Sequence, residues 1–173
     1  APARAATPLV DAAWIKDHIG KPNVVFLDVR GSAGAFRAGH IPGAVFTSYG
    51  PKKWRVEIQG VPGMLPPVKT LEKLIGNLGI GNADHVVVVP GGYSSGEMSV
   101  ATRIYWTFKV LGHDAVSILD GGMLGYAADR KNPLEKTFAR PVPKPFKANF
   151  RPDLIATASD IKKVLAGDGD VVI

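Results

Sequence analysis

The 173-residue sequence has no cysteine at all. That excludes thiol chemistry and a disulfide framework within these residues, and it leaves the redox compartment undecided. Long apolar runs are missing too. The greasiest stretch, Val86 to Val89, is bounded by His85 and Pro90, far short of the roughly 18 apolar residues a membrane-spanning helix needs. No membrane partner is expected. Histidines are few and dispersed: His18, His40, His85 and His113 include no pair at ligand spacing, so no metal is expected; no cofactor is expected either. Aromatic residues are not interleaved with a basic stripe, so nucleic acid is not an expected partner.

What is present suits one α/β domain of ordinary size, or one domain plus a fragment of another. Hydrophobic residues make up 46% and charged residues 21%, the balance of a packed globular fold. The 21 basic side chains outnumber the 15 acidic ones, for a net charge of +6. They gather at Lys52, Lys53 and Arg55 and again between Arg130 and Arg151. A solvated basic surface is the plain reading, and a small anionic partner is the alternative. The opening APARAATP is small, polar and slightly basic, like what a signal peptidase cut or a trim leaves behind. An exported or periplasmic location fits it, with the cytoplasm as the other option.

Strand and helix patterns alternate along the chain. Pro8 to Ile19 has a helical spacing with Asp11 as N-cap, and Val24 to Leu27 reads as a buried parallel strand closed by Asp28. Gly34 to Arg37 predicts one helical turn, Gly39 to Gly43 a tight loop, and Ala44 to Thr47 a strand. Residues 48 to 67, rich in Gly and Pro, read as irregular. Leu71, Leu74, Ile75 and Leu78 form a stripe on a helix over Thr70 to Leu78, stopped by Gly79. His85 to Val89 is a strand, Pro90 to Gly96 a loop, and Glu97 to Leu111 a long helix before Gly112. Val116 to Leu119 is the next strand, with a short helix from Met123 to Ala128. Such alternation predicts an α/β fold, helices flanking a central, mainly parallel sheet.

Residues 155 to 173 repeat residues 9 to 27 without a gap, 146 positions later. Ile15 and Lys16 fall on Ile161 and Lys162, and Val25, Phe26 and Leu27 fall on Val171, Val172 and Ile173. The expected organisation is a first unit over 1–131, a proline-containing basic connector over 132–152, and the truncated start of a second copy over 153–173.

Five stretches resemble the rhodanese family. They are LDVR (Leu27 to Arg30), FRAGHIPGA (Phe36 to Ala44), LEKLIGNLGIGNADHVVVV (Leu71 to Val89), RIYWTFKVLGH (Arg103 to His113) and SILDGGMLGY (Ser117 to Tyr126). In order and spacing they are similar to the first domain of tandem thiosulfate or mercaptopyruvate sulfurtransferases. The resemblance implies a rhodanese-like three-layer domain and a second rhodanese domain as partner. It also implies transfer of sulfane sulfur from a small anionic donor, through a cysteine persulfide, to cyanide or a thiol.

The resemblance places that cysteine just after the His85 to Val89 strand, where this chain reads Pro90, Gly91, Gly92, Tyr93. Ser94, Ser95 and Ser99 cannot replace it, because an alkoxide is poorly accessible at neutral pH and an oxygen-linked sulfane is no stable carrier. The expectation is a non-catalytic domain with no catalytic residue of its own. Its degenerate loop, Gly91, Gly92, Tyr93, Ser94, Ser95, Gly96, Glu97 and Met98, would form an interdomain wall, and Arg30 could help hold an anionic donor. Asp28 reads as a buried carboxylate paired with a nearby Arg, and His40 as bonded to backbone. Related phosphatases need a Cys and an Arg framing a phosphate loop, and neither stands here. Two alternatives remain: an inactive regulatory or protein-binding module, and an anion-binding loop at the start of the Glu97 helix, against which Glu97 counts by its charge.

Overall fold

The computed structural model describes residues 6–50, 53–138 and 140–167. A five-stranded sheet, parallel throughout, has the order β1-β7-β6-β2-β3. Its strands are β1 (Leu9–Val10), β2 (Val24–Asp28), β3 (Val45–Phe46), β6 (His85–Val89) and β7 (Val116–Leu119). The alternating face of a strand explains the layers. Val86 and Val88 of β6 turn toward α3 (Val68–Asn77) and α4 (Ser95–Val110), joining Leu71, Ile75, Ile104 and Phe108 in one core. Val87 and Val89 turn the other way, toward Ile15 of α1 (Ala12–His18) and toward Met123 and Tyr126 of α5 (Gly122–Ala128). Helices therefore cover both faces, as a sheet of nearly continuous Val, Leu and Ile requires. The short α2 (Ala33–Ala38) carries buried Phe36 at the sheet's β3 side.

Local signals explain most boundaries. Asp11 caps α1 by accepting the Trp14 N–H at 2.8 Å. Ser32 and Ser94 do the same for α2 and α4. Two stretches depart from expectation. Leu9 and Val10, within the stretch of helical spacing but ahead of its Asp11 cap, form an edge strand paired with Ile118 and Leu119. Residues 48 to 67 are not irregular throughout, since β4 (Val56–Ile58) and β5 (Val61–Met64) form an antiparallel hairpin. Its two-residue turn, Gln59 and Gly60, has both φ angles positive, at 51° and 78°. That is the twist a tight hairpin prefers. Ahead of it, Trp54 is fully buried and its indole N–H donates to Thr47 Oγ1 at 3.0 Å.

The connector has no regular secondary structure from residue 136 to 151, apart from the undescribed residue 139, yet it lies along the first unit. Phe146 enters the α3/α4 core. Lys144 pairs with buried Asp84 at 2.8 Å, Lys147 with Glu72 at 3.5 Å, and Arg151 with Asp114 at 2.6 Å. Three of the seven basic side chains from Arg130 to Arg151 thus face carboxylates. A 3₁₀ turn (Pro152–Leu154) leads into α6 (Ala158–Leu165), which starts 146 positions after α1 and is capped by Thr157, the counterpart of Asp11. The repeated strand, Val171 to Ile173, lies outside the described residues. Among the described residues no helix is long and apolar enough to cross a membrane.

Candidate functional site

Parallel α/β sheets place their sites outside the carboxyl ends of the strands. Here three segments meet at that edge: Asp28 to Arg30 after β2, Pro90 to Ser94 after β6, and Asp120 to Met123 after β7. Asp28, fully buried, ends β2 opposite Val89. Arg30 doubles back onto it. Its Nε lies 3.1 and 3.0 Å from the two carboxylate oxygens and its Nη2 lies 2.7 Å from Oδ2. The same Nη2 donates to the Gly39 carbonyl at 2.8 Å. The Arg30 side chain is only 12% exposed, and Nη1 makes no hydrogen bond among the described residues. A bidentate pair of this kind fixes both groups and neutralises most of the charge.

Gly39 opens the loop containing His40. His40 is buried, stacks on Phe36 with ring centres 3.7 Å apart, and donates from Nδ1 to the Phe36 carbonyl at 2.8 Å. The connector clamps the loop from its other side. The backbones of His40 and Glu135 exchange two hydrogen bonds, and the Glu135 carboxylate accepts the Gly43 N–H at 2.8 Å. A hydrogen bond from Thr137, and after it the one from the Gly43 N–H, hold the Glu135 carboxyl below its ordinary pKa.

The loop after β6 is fastened to the next one. The N–H groups of Met123 and Leu124, at the start of α5, donate to the carbonyls of Pro90 and Gly91 at 2.9 Å. The backbones are so close that a Cβ on Gly122 would stand 2.7 Å from the Pro90 carbonyl oxygen. Only glycine fits there, and its φ of 58° is equally suited to glycine. Tyr93 stands out from this platform, 73% exposed. It divides two hollows. One, of about 300 Å³, is lined by Arg30, Gly39, Tyr93, Met123, Ala127 and Leu134; the other, of about 460 Å³, includes Gly92, Gly121 and Leu124.

The serines of the loop serve the helix. Ser94 Oγ accepts the Glu97 N–H at 3.3 Å and Ser99 Oγ donates to the Gly96 carbonyl at 2.7 Å. The Glu97 carboxylate folds back and accepts the Tyr93 N–H at 2.8 Å. The structure therefore brings Arg30 and Tyr93 to one hollow, while Ser94, Ser95, Gly96 and Met98 form the start of α4. Sequence reading passed over Leu124, Ala127 and Leu134 as site-lining residues. The glycines of Asp120 to Gly122 were the available signal, since they allow the close approach of the two loops. Among the described residues no group of three or more His, Asp or Glu could hold a metal ion.

Comparison with known proteins identifies this architecture. The model of the rhodanese-like domain matches residues 11–129. The chain belongs to the rhodanese-like family. It is 35% identical to human 3-mercaptopyruvate sulfurtransferase over 167 residues, covering 94% of this chain and 50% of that protein. It is 32% identical to rat thiosulfate sulfurtransferase over 164 residues, covering 88% of this chain and 54% of that protein. The crystal structure of SseA, a 3-mercaptopyruvate sulfotransferase from Escherichia coli, superposes with a TM-score of 0.76 at 28% identity, covering 93% of this chain and 62% of SseA. This rhodanese-like chain thus spans about half to three-fifths of these three proteins.

Proposed function

We propose that this chain is the non-catalytic first domain of a tandem sulfurtransferase. The intact protein would transfer sulfane sulfur from thiosulfate or 3-mercaptopyruvate to a thiophilic acceptor, cyanide or a thiol. The persulfide would form on a cysteine of a second rhodanese domain outside these residues. One observation carries the reading: a rhodanese-like sheet presents Pro90, Gly91, Gly92 and Tyr93 where the nucleophile is expected, in a sequence without cysteine. The family membership supports the reaction class, and the missing sulfur atom supports assigning turnover elsewhere.

Helix α6 supports the tandem organisation. Ile15 in α1 is fully buried beneath the sheet, whereas its counterpart Ile161 in α6 is 40% exposed. Leu165 is also exposed. A capped amphipathic helix whose apolar face is uncovered among the described residues fits one layer of a second unit, and so supports the tandem reading. In this reading the Tyr93 platform and the Arg30 hollow face the second domain's active site as one wall of a shared cleft, and Arg30 Nη1 offers its two N–H groups to a small anionic donor. The donor's charge meets a guanidinium already paired with Asp28, so Arg30 orients more than it attracts.

The exposed Tyr93 and Leu124 favour a second reading, an inactive rhodanese-like module that docks a regulatory protein partner. A thiocyanate-forming assay separates the two. A longer polypeptide from the same gene, with a cysteine in its second unit, is expected to convert cyanide and thiosulfate to thiocyanate and sulfite. Absence of transfer from such a polypeptide, with either donor, would reject the enzyme reading.

A further inference from the structure

We infer that Glu97 is an internal anion that closes the β6–α4 loop to oxyanion donors, so that this loop stays unoccupied by thiosulfate whatever the donor concentration around it. The inference rests on the reading of this loop as the silent counterpart of a catalytic one. It adds a second cause of silence to the lack of a thiol. Glu97 stands in the first turn of α4, two residues after Ser95, and its backbone N–H is satisfied by Ser94 Oγ at 3.3 Å. Its carboxylate does not extend into solvent along the helix. It turns back over the loop, where Oε2 accepts the Tyr93 N–H at 2.8 Å. The carboxylate also lies against Gly91 so closely that a Cβ there would stand 2.7 Å from Cδ and 2.8 Å from Oε2.

Three consequences follow from that contact. The Tyr93 N–H, which a bound anion would use, is already taken. The space beside Gly91 is filled by the chain's own oxygen atoms. The full negative charge offsets the positive end of α4, the field that would draw an external anion in. The carbonyls of Pro90 and Gly91 are turned away to Met123 and Leu124, so the loop's other side is closed by backbone. A thiol placed in this loop would stand near the same negative group, and a negative neighbour holds a thiol in its protonated form.

The test titrates thiosulfate, with sulfate as a second oxyanion, into the 173-residue chain and into Glu97→Ala and Glu97→Gln at low salt. Calorimetry gives affinity, and the amide resonances of Gly91, Gly92 and Tyr93 give location. In the wild type these three amides are expected to stay unshifted at millimolar thiosulfate. Glu97→Ala, which removes both bulk and charge, is expected to gain saturable binding at these amides by about tenfold or more, the scale of one charge-assisted hydrogen bond. Glu97→Gln keeps the bulk and loses the charge, so a smaller gain is expected; it decides the matter alone if Glu97→Ala fails to fold. Wild-type binding at these amides as tight as in the variants would overturn the inference, as would no gain in a folded variant or shifts confined to other residues. No turnover is measured, so the outcome is independent of whether a longer polypeptide transfers sulfur.

Discussion

Replacing Arg30 with Met tests whether the Asp28–Arg30 pair organises the strand-end edge. The substitution keeps the length of the apolar stem and deletes the Nε and Nη2 donors to Asp28, at 3.1, 3.0 and 2.7 Å, together with the bond to the Gly39 carbonyl. Among the described residues, only the Arg30 backbone N–H, 3.1 Å from Oδ1, remains to the carboxylate. Asp28 is fully buried, so its charge loses its counterion without gaining water. Breaking a buried pair in this way costs about 3–5 kcal/mol. That is a large share of the roughly 5–15 kcal/mol by which such domains are stable. It corresponds to a fall in Tm of about 6–20 °C at the usual 2–4 °C per kcal/mol for a chain of this size. Urea unfolding followed by tryptophan fluorescence reads the loss, with buried Trp54 as the reporter. The double variant Asp28→Asn, Arg30→Met removes the charge as well as its partner and is expected to recover more than half of the loss. A loss under about 1 kcal/mol in the single variant, or a double variant no more stable than the single, would refute the reasoning.

Other predictions bear on the core, the repeat and pH. Ile15→Ala is expected to cost about 2–5 kcal/mol, while the aligned Ile161→Ala costs less than about 1 kcal/mol in this chain; in a longer polypeptide the Ile161 cost should rise toward that of Ile15, and equal small costs in both lengths would refute the repeat. Gly122→Ala forces a Cβ against the Pro90 carbonyl at a φ of 58° and should cost about 1–3 kcal/mol, with shifted Pro90 to Tyr93 resonances; a silent substitution would contradict the described packing. Burial holds His113 below the ordinary histidine pKa, so the folded state binds fewer protons than the unfolded chain. Stability is then complete above the unfolded value of about 6.5 and declines as pH falls through it, levelling below the folded pKa. His85 is shifted the same way, first by burial. His113→Leu should therefore flatten, without abolishing, the fall of the urea midpoint below about pH 6.5; an unchanged slope would show that His113 is not held neutral.

Most of the sheet was readable from sequence because its strands are short apolar runs closed by turn residues. His85 to Val89 and Val116 to Leu119 coincide with β6 and β7. The stripe through Leu71, Leu74, Ile75 and Leu78 marks α3, and Asp11 marks the start of α1. Leu9 and Val10 gave no strand signal, because two residues ahead of the Asp11 cap are too few to show a strand's alternation; pairing with β7, more than a hundred residues away, decides it. The β4–β5 hairpin was hidden by arms of three and four residues, with Pro62 in one of them and Gln59 carrying a positive φ usually left to glycine or asparagine. At the site, the Asp28–Arg30 pairing was legible as a carboxylate with a basic residue two positions on. The connector's close fit was not, since its proline content gives no hint that Lys144, Lys147 and Arg151 meet Asp84, Glu72 and Asp114. The fold of Glu97 onto its own loop was equally hidden, because a glutamate in a helix's first turn is ordinary for reasons of charge alone.

The most direct test incubates the purified 173-residue chain with thiosulfate, removes the donor, and adds cyanide while thiocyanate and intact mass are followed. The account predicts no thiocyanate above the protein-free control and no mass increase of one sulfur atom. A burst of thiocyanate stoichiometric with the chain, together with a cyanide-labile sulfur adduct, would contradict it.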